Sequence, residues 1–190
     1  MSNSLPSKRT AEDLTVLEYD PEWSMRFAEL GGGLRSALGE VALRIDHIGS
    51  TAVPGLAAKP IIDVQISVAS LEPVDRFRAS LEGCGFVWRP DNTERTKRYF
   101  RERPGDRRTH VHVRRAGSFS EQFALLFRDY LRGHPDAAAE YGARKRELAD
   151  LLATDRHTYT DAKAPIVWRI IQQADEWAQR TGWQPPRSDM

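Results

Sequence analysis

Apolar and polar residues alternate most strictly from Ile61 to Val68, where Ile62, Val64, Ile66 and Val68 fall on one face and Asp63, Gln65 and Ser67 on the other. A period of two predicts a strand that is packed on one side and open on the other. Val41 to Ile48 reads as another strand, with Val41, Leu43 and Ile45 on one face. His47 shares that face, so a buried, hydrogen-bonded imidazole is expected there. Phe86 to Trp88 adds a short strand. Arg95 to Arg103 and Arg107 to Arg115 form the arms of a hairpin turning at Pro104-Gly105-Asp106. In its second arm Val111 and Val113 share one face, and His110, His112 and Arg114 the other.

Helical spacing governs the rest. Asp20-Pro21-Glu22 is a helix start, with a cap, a proline in the first turn and an acid beside it, and Trp23, Phe27, Leu30, Leu34 and Leu38 continue the stripe. Gly31-Gly32-Gly33 interrupts it at about 1 kcal/mol per glycine relative to alanine, which predicts a break. A short helix is expected over Pro73 to Leu81. Ser118 and Glu121 resemble a capping box ahead of Phe119, Phe123, Leu126, Phe127, Tyr130 and Leu131, a stripe ended by Gly133 and Pro135. Two more helices follow, from about Pro135 to Leu152 and from about Lys163 to Trp177. Strands first and helices last predict an α+β domain, a mixed sheet with helices packed mainly on one face and a helical C-terminal part. Residues 15–180 are expected to form this single domain, with a disordered tail over 1–14 and a C-terminal tail over 181–190.

Composition narrows the setting. A chain of 190 residues buries a sizeable core without staples. Its first residues carry no apolar run, and no window approaches the roughly 20 apolar residues of a membrane span, so a cytoplasmic protein is expected. The one cysteine, Cys84, forms no internal disulfide and reads as a small buried hydrophobe. Net charge is +1, but Arg89 to Arg115 holds ten Arg or Lys against four Asp or Glu. That excess is either a solvated hairpin or one wall of an anion site. Tracking along a duplex needs a broader basic surface, so nucleic acid is not favoured as a partner.

Two constellations carry candidate chemistry. Asp63 and the pair His110 and His112 converge if their strands share a sheet, and a carboxylate with imidazoles suits a divalent metal, Mg, Mn or Zn. Polar residues on an open face equally just meet water. Gly49-Ser50-Thr51 follows an apolar strand, where glycine lets backbone approach a phosphate, and Lys59 adds a positive charge at the far end of the same loop. The Walker pattern is absent. Lys163, expected near the start of the last helix where a cation is disfavoured, points to an anionic partner or to solvent.

These same residues carry a resemblance. His47-Ile-Gly-Ser-Thr-Ala-Val-Pro-Gly-Leu-Ala-Ala-Lys-Pro-Ile-Ile-Asp63, Thr109-His-Val-His-Val113, Phe127-Arg-Asp-Tyr-Leu-Arg132 with His134-Pro135, and Tyr159-Thr-Asp-Ala-Lys163 resemble segments of the GrpB family, in its order, from about Val16 to Ala174. The resemblance implies a nucleotidyltransferase-like fold. In active members of that superfamily a Gly-Ser turn contacts nucleotide phosphates, and the following strand supplies two acids for two metal ions. A neighbouring strand gives a third. By that likeness Gly49, Ser50, Thr51, Lys59, Arg98 and Lys163 would hold a nucleotide or phosphorylated small molecule, and Asp63 with His110 or His112 a metal. Gln65 stands where the second acid is expected, and a neutral amide is a weak ligand for a metal pair. A metal-dependent nucleotidyltransferase acting on a small acceptor and a non-catalytic nucleotide-binding module are therefore both implied. Relatives fused to dephospho-CoA kinase add an accessory or interaction role, and the aromatic helices with five tryptophans allow a homo-oligomer.

Overall fold

The computed structural model describes residues 15–149, 151 and 156–190. The tail expected over 1–14 and the end of the helix expected to reach Leu152 lie outside the described residues. Five strands, β1 (Arg44–Ile48), β2 (Ile62–Val68), β3 (Phe86–Trp88), β4 (Lys97–Glu102) and β5 (Thr109–Arg115), form one mixed sheet in the order β1-β2-β5-β4-β3. Helices α1 (Glu22–Leu38), α2 (Asp75–Gly83), α3 (Phe119–Gly133), α4 (Pro135–Glu147) and α5 (Arg156–Thr181) pack around it. No described helix is long and apolar enough to cross a membrane.

One face of the sheet is apolar. Ile45, Val64, Ile66, Phe100, Val111 and Val113 meet Trp23, Phe27 and Leu34 of α1 and Phe77 and Leu81 of α2 in the main core. That burial explains why α1 does not break at its three glycines: Phe27, Leu34 and Leu38 share one continuous buried stripe, and tertiary packing outweighs glycine's poor propensity. At Gly31 a Cβ would stand 2.7 Å from Met190 Cγ, so any larger residue there displaces the methionine side chain. The first strand is shorter than its pattern suggested. Val41 sits in a 3-10 turn (Gly39–Val41), and Val41 and Leu43 are both exposed.

The other face is polar, and its β1–β2 half is not open. Helix α3 starts where the capping box places it: Ser118 Oγ accepts from Glu121 N at 3.4 Å, and Glu121 Oε2 accepts from Gly117 N at 2.6 Å. Arg128 of α3 is 1% exposed and donates to His47 O at 3.0 Å, while pairing with Asp129 and Asp189. Asp46, wholly buried, takes a two-pronged bond from Arg44. Its burial pushes the carboxyl up, against the pull of both arginines. A layer of paired charge thus replaces apolar packing between α3 and the sheet.

Residues 186–190, expected only as a tail, run along the outer edge of β1. Ile45 N donates to Ser188 Oγ, His47 N to Asp189 Oδ2, and Met190 N to Ile45 O. They satisfy an edge strand that would otherwise present unpaired groups.

Candidate functional site

Parallel pairing of β2 with β5 sets Asp63 opposite His110 and Gln65 opposite His112. Side chains with the parity of Asp63 all stand on the polar face, so one carboxylate meets two imidazoles. Asp63 Oδ1 lies 3.1 Å from His110 Nδ1 and 3.2 Å from His112 Nε2. A carboxylate accepts, so both of those nitrogens carry protons. Burial opposes charge on Asp63, yet the two imidazole bonds outweigh it and hold the carboxyl well below its usual range. Burial also pushes His112 down to about 4, leaving it neutral. The opposite nitrogens, His110 Nε2 and His112 Nδ1, are buried without hydrogen-bond partners.

Gly49 closes on the same carboxylate. Its φ of 73° and ψ of −171° belong to a region open essentially to glycine alone. It is followed by a 3-10 turn (Ser50–Ala52) that returns the chain toward β2. The hydroxyl of Thr51 donates to Ile61 O at 3.0 Å, which leaves its oxygen to accept from His47 Nε2, also at 3.0 Å. His47 itself is 3% exposed and stacks on Phe27 with ring centres 4.7 Å apart, the buried, bonded imidazole its pattern predicts.

Beside Asp63 opens a cleft of about 230 Å³, lined on one side by Gly49, Ser50, Asp63 and His110 and on the other by Lys59, Lys145 and Lys163. The ammonium groups of Lys59 and Lys163 each lie 5.4 Å from the centre of the Tyr159 ring. The Tyr141 hydroxyl beside Lys163 raises that amine's pKa. Lys145, 4% exposed, donates to Ala57 O at 2.5 Å.

Of the residues expected in the site, Gly49, Ser50, Thr51, Lys59, Asp63, His110 and Lys163 line this cleft, and His112 joins Asp63 through its hydrogen bond. Three expectations need correcting. Arg98 is opposite Val113, which places it on the apolar face away from Asp63, and it pairs with Glu72. Residues of its strand with the right parity are Lys97, Tyr99 and Arg101, paired with Arg114, His112 and His110. The Thr51 hydroxyl is buried and spent on holding the turn, so any anion contact from Thr51 falls to its backbone. Lys163 is not near a helix start, because α5 begins at Arg156 and places it about two turns in.

Three cations of the hairpin are paired within it, Lys97 with Glu94 and Arg101 and Arg108 with Glu102, but these acids already enter the balance and the local excess of positive charge stands. Gln65 is wholly buried, accepting from Arg114 Nη1 at 2.5 Å and donating to Glu121 O at 3.4 Å. Asp63, His110 and His112 can bring one donor atom each within 4.8 Å of one another, the one such group among the described residues. With Gln65 tied to α3, this donor set suits a single ion and not a pair. The orphaned imidazole nitrogens fit that reading: rotation of either ring offers a lone pair where no internal donor competes.

Lys145, Tyr141, Tyr159 and Tyr99 were not legible as site residues. Lys145 and Tyr141 sit in a helix that carried no candidate, Tyr159 lies in the Tyr159–Lys163 segment ahead of the helix expected from Lys163, and Tyr99, whose ring centre is 5.6 Å from His110 and 5.3 Å from His112, lies one position from Arg98. Strand parity relative to Val113 was the available signal for Tyr99.

The family model described as "GrpB protein" matches residues 13–173. A solved structure of the conserved protein GrpB from Enterococcus faecalis is 36% identical, with a TM-score of 0.77, and the match covers 86% of this chain and 99% of that one. A dephospho-CoA kinase from Mycolicibacterium paratuberculosis is 37% identical over 87% of this chain, which spans only 47% of the kinase. Nucleotidyltransferase-fold structures share the architecture at low identity. The GLD-2/RNP-8 complex, at 13% identity and a TM-score of 0.53 over 80% of this chain and 60% of that one, shares the fold alone.

Proposed function

Because the chain belongs to the GrpB family, we propose that its cleft binds a nucleotide or another phosphorylated small molecule with a divalent metal ion, Mg, Mn or Zn, and moves a nucleotidyl group onto a small acceptor. The observation that carries this reading is the meeting of Asp63, His110 and His112 with the Gly49-Ser50 turn at one end of a lysine-lined cleft. Asp63, His110 and His112 would hold the ion, which supplies charge neutralisation at the phosphates. Gly49 lets backbone approach those phosphates without a side chain intervening, and Ser50 would add its amide and hydroxyl as donors. Lys59 and Lys163 hold the leaving pyrophosphate. The ionised Asp63 would orient an acceptor hydroxyl toward the α-phosphorus by accepting its hydrogen bond, and the hydroxyl proton leaves to solvent, because the two imidazole bonds make this carboxylate a weak base.

Gln65 favours a second reading, a module that binds the ligand without turning it over. It stands in the register position next to Asp63 on the polar face, buried and engaged by Arg114 and Glu121. A neutral amide there leaves one metal where two would share the work.

Thermal unfolding with each nucleoside triphosphate and each of Mg, Mn and Zn tests both. Ligand at one hundred times its dissociation constant stabilises the fold by about 2.7 kcal/mol. The expected result is a metal-dependent shift that Asp63→Asn abolishes. Pyrophosphate release with an acceptor panel then separates transferase from module, and no shift with any pair overturns the nucleotide reading.

A further inference from the structure

Lys145 is the oddest charge in the molecule. It is 4% exposed, sits on α4 at the back of the cleft, and has Ala57 O as its hydrogen-bond acceptor and the Tyr141 ring 4.6 Å from its ammonium group. Among the described residues no carboxylate pairs with it. The charged neighbours that act on it are all cations: Lys163 from α5, Arg146 from its own helix, and Lys59 from the loop before β2. Tyr141 and Tyr159 are its titratable tyrosine neighbours along the cleft wall, and Asp63 and His110 occupy the far wall, the former bound to both imidazoles.

Buried cations without anionic partners are strongly disfavoured. Burial first, and then the three neighbouring cations, push this amine down to about 6. Lys145 is therefore mostly neutral at pH 7.5 when the cleft is empty. The bond to Ala57 O asks for a donor but not for a charge, so an uncharged donor of similar length would serve the packing more cheaply. A group that is costly in the empty protein and lines a cleft makes sense if the cleft's occupant supplies the missing negative charge.

We infer that Lys145 sets the class of ligand this cleft accepts, selecting a polyphosphate over a monophosphate by taking up a proton as the polyanion binds. The inference rests on the phosphate-binding reading above and adds the ligand's charge to it. A monophosphate is matched by Lys59 and Lys163 alone. A di- or triphosphate carries enough charge to reach past them and stabilise a third ammonium, and one proton crosses from solvent to Nζ in the process. Binding then weakens as the pH rises, because the proton has to be drawn from a more dilute supply.

Isothermal titration calorimetry of the whole chain tests this, using inorganic phosphate, pyrophosphate and tripolyphosphate as probes at pH 7.5. Two buffers of different ionisation enthalpy give the number of protons exchanged. Comparing wild type with Lys145→Met cancels the probe's own titration. Wild type is expected to take up about one proton more per tripolyphosphate than the variant, with the variant binding tripolyphosphate about tenfold more weakly and phosphate nearly unchanged. Lys145→Gln, which keeps a donor for Ala57 O, repeats the comparison if the methionine variant folds poorly. Equal proton counts in wild type and variants overturn the inference while leaving the phosphate site standing. Failure of every probe to bind wild type, repeated with Mg, Mn or Zn present, overturns both.

Discussion

An ideal Cβ on Gly49 would lie 2.6 Å from Oδ2 of Asp63 and 3.0 Å from its Cβ. The turn after β1 and the first polar residue of β2 therefore touch with no room for a methyl group between them, and the same contact brings backbone to the edge of the proposed metal site. Gly49→Ala meets two penalties at once, a positive φ closed to alanine and a carboxylate in the way. It should cost about 1–3 kcal/mol in urea unfolding. Metal-dependent thermal stabilisation should fall with it, since Asp63 has to turn away from His110 and His112. Unchanged stability would mean that the turn relaxes freely.

His47 contributes to the acid limb of stability, as His112 does. Burial, and then Arg132, lower its pKa from 6.5 to about 4, partly opposed by Asp63. Below the unfolded value the unfolded chain takes a proton that the native chain refuses. Stability from this group is complete above about pH 6.5 and is lost as the pH falls toward 4, at about 1.4 kcal/mol per pH unit. Urea midpoints measured from pH 7 to pH 4.5 should fall less steeply in His47→Gln than in wild type. Parallel curves would show that His47 titrates normally.

Arg128 anchors the polar layer beneath α3. It pairs with Asp129 and Asp189, reaches Asp46 at 3.7 Å and donates to His47 O. Removing it leaves Asp46 buried with Arg44 alone. Arg128→Ala is expected to lose about 3–5 kcal/mol by denaturant titration, and loosening of residues 186–190 should appear as faster amide exchange at Ile45 and His47. A loss confined to a fraction of that would mean water fills the gap.

Arg98→Ala supplies the opposite outcome. Its partner Glu72 is exposed and on the far face from Asp63. Nucleotide-dependent and metal-dependent thermal shifts should keep their wild-type size. A diminished shift would place an anion contact where strand parity forbids one. Tyr99→Ala, one residue along, should by contrast weaken the metal response, because its ring packs against both histidines.

Local signals in the chain determined a great deal. The alternation of β2 set Asp63 apart from Val64, the Pro104-Gly105-Asp106 turn paired β4 with β5, and Ser118 with Glu121 marked the start of α3. Each depends on residues close in sequence, where period and cap chemistry suffice. The meeting of Asp63 with His110 and His112 was also legible, once one sheet held both strands. Other features belonged to tertiary structure alone. Which of Lys97, Tyr99 and Arg101 stands beside which residue of β5 turns on the register between the two strands. Whether Gln65 meets water or Arg114 depends on where α3 lands. Lys145 looks like any polar residue of a helix until α4, α5 and the loop bearing Lys59 close around it. Residues 186–190 carry no pattern, and only the unpaired edge of β1, far away in sequence, gives them a place. Periodicity tells a residue which way to face; what stands opposite is decided by chain segments that its own neighbourhood does not encode.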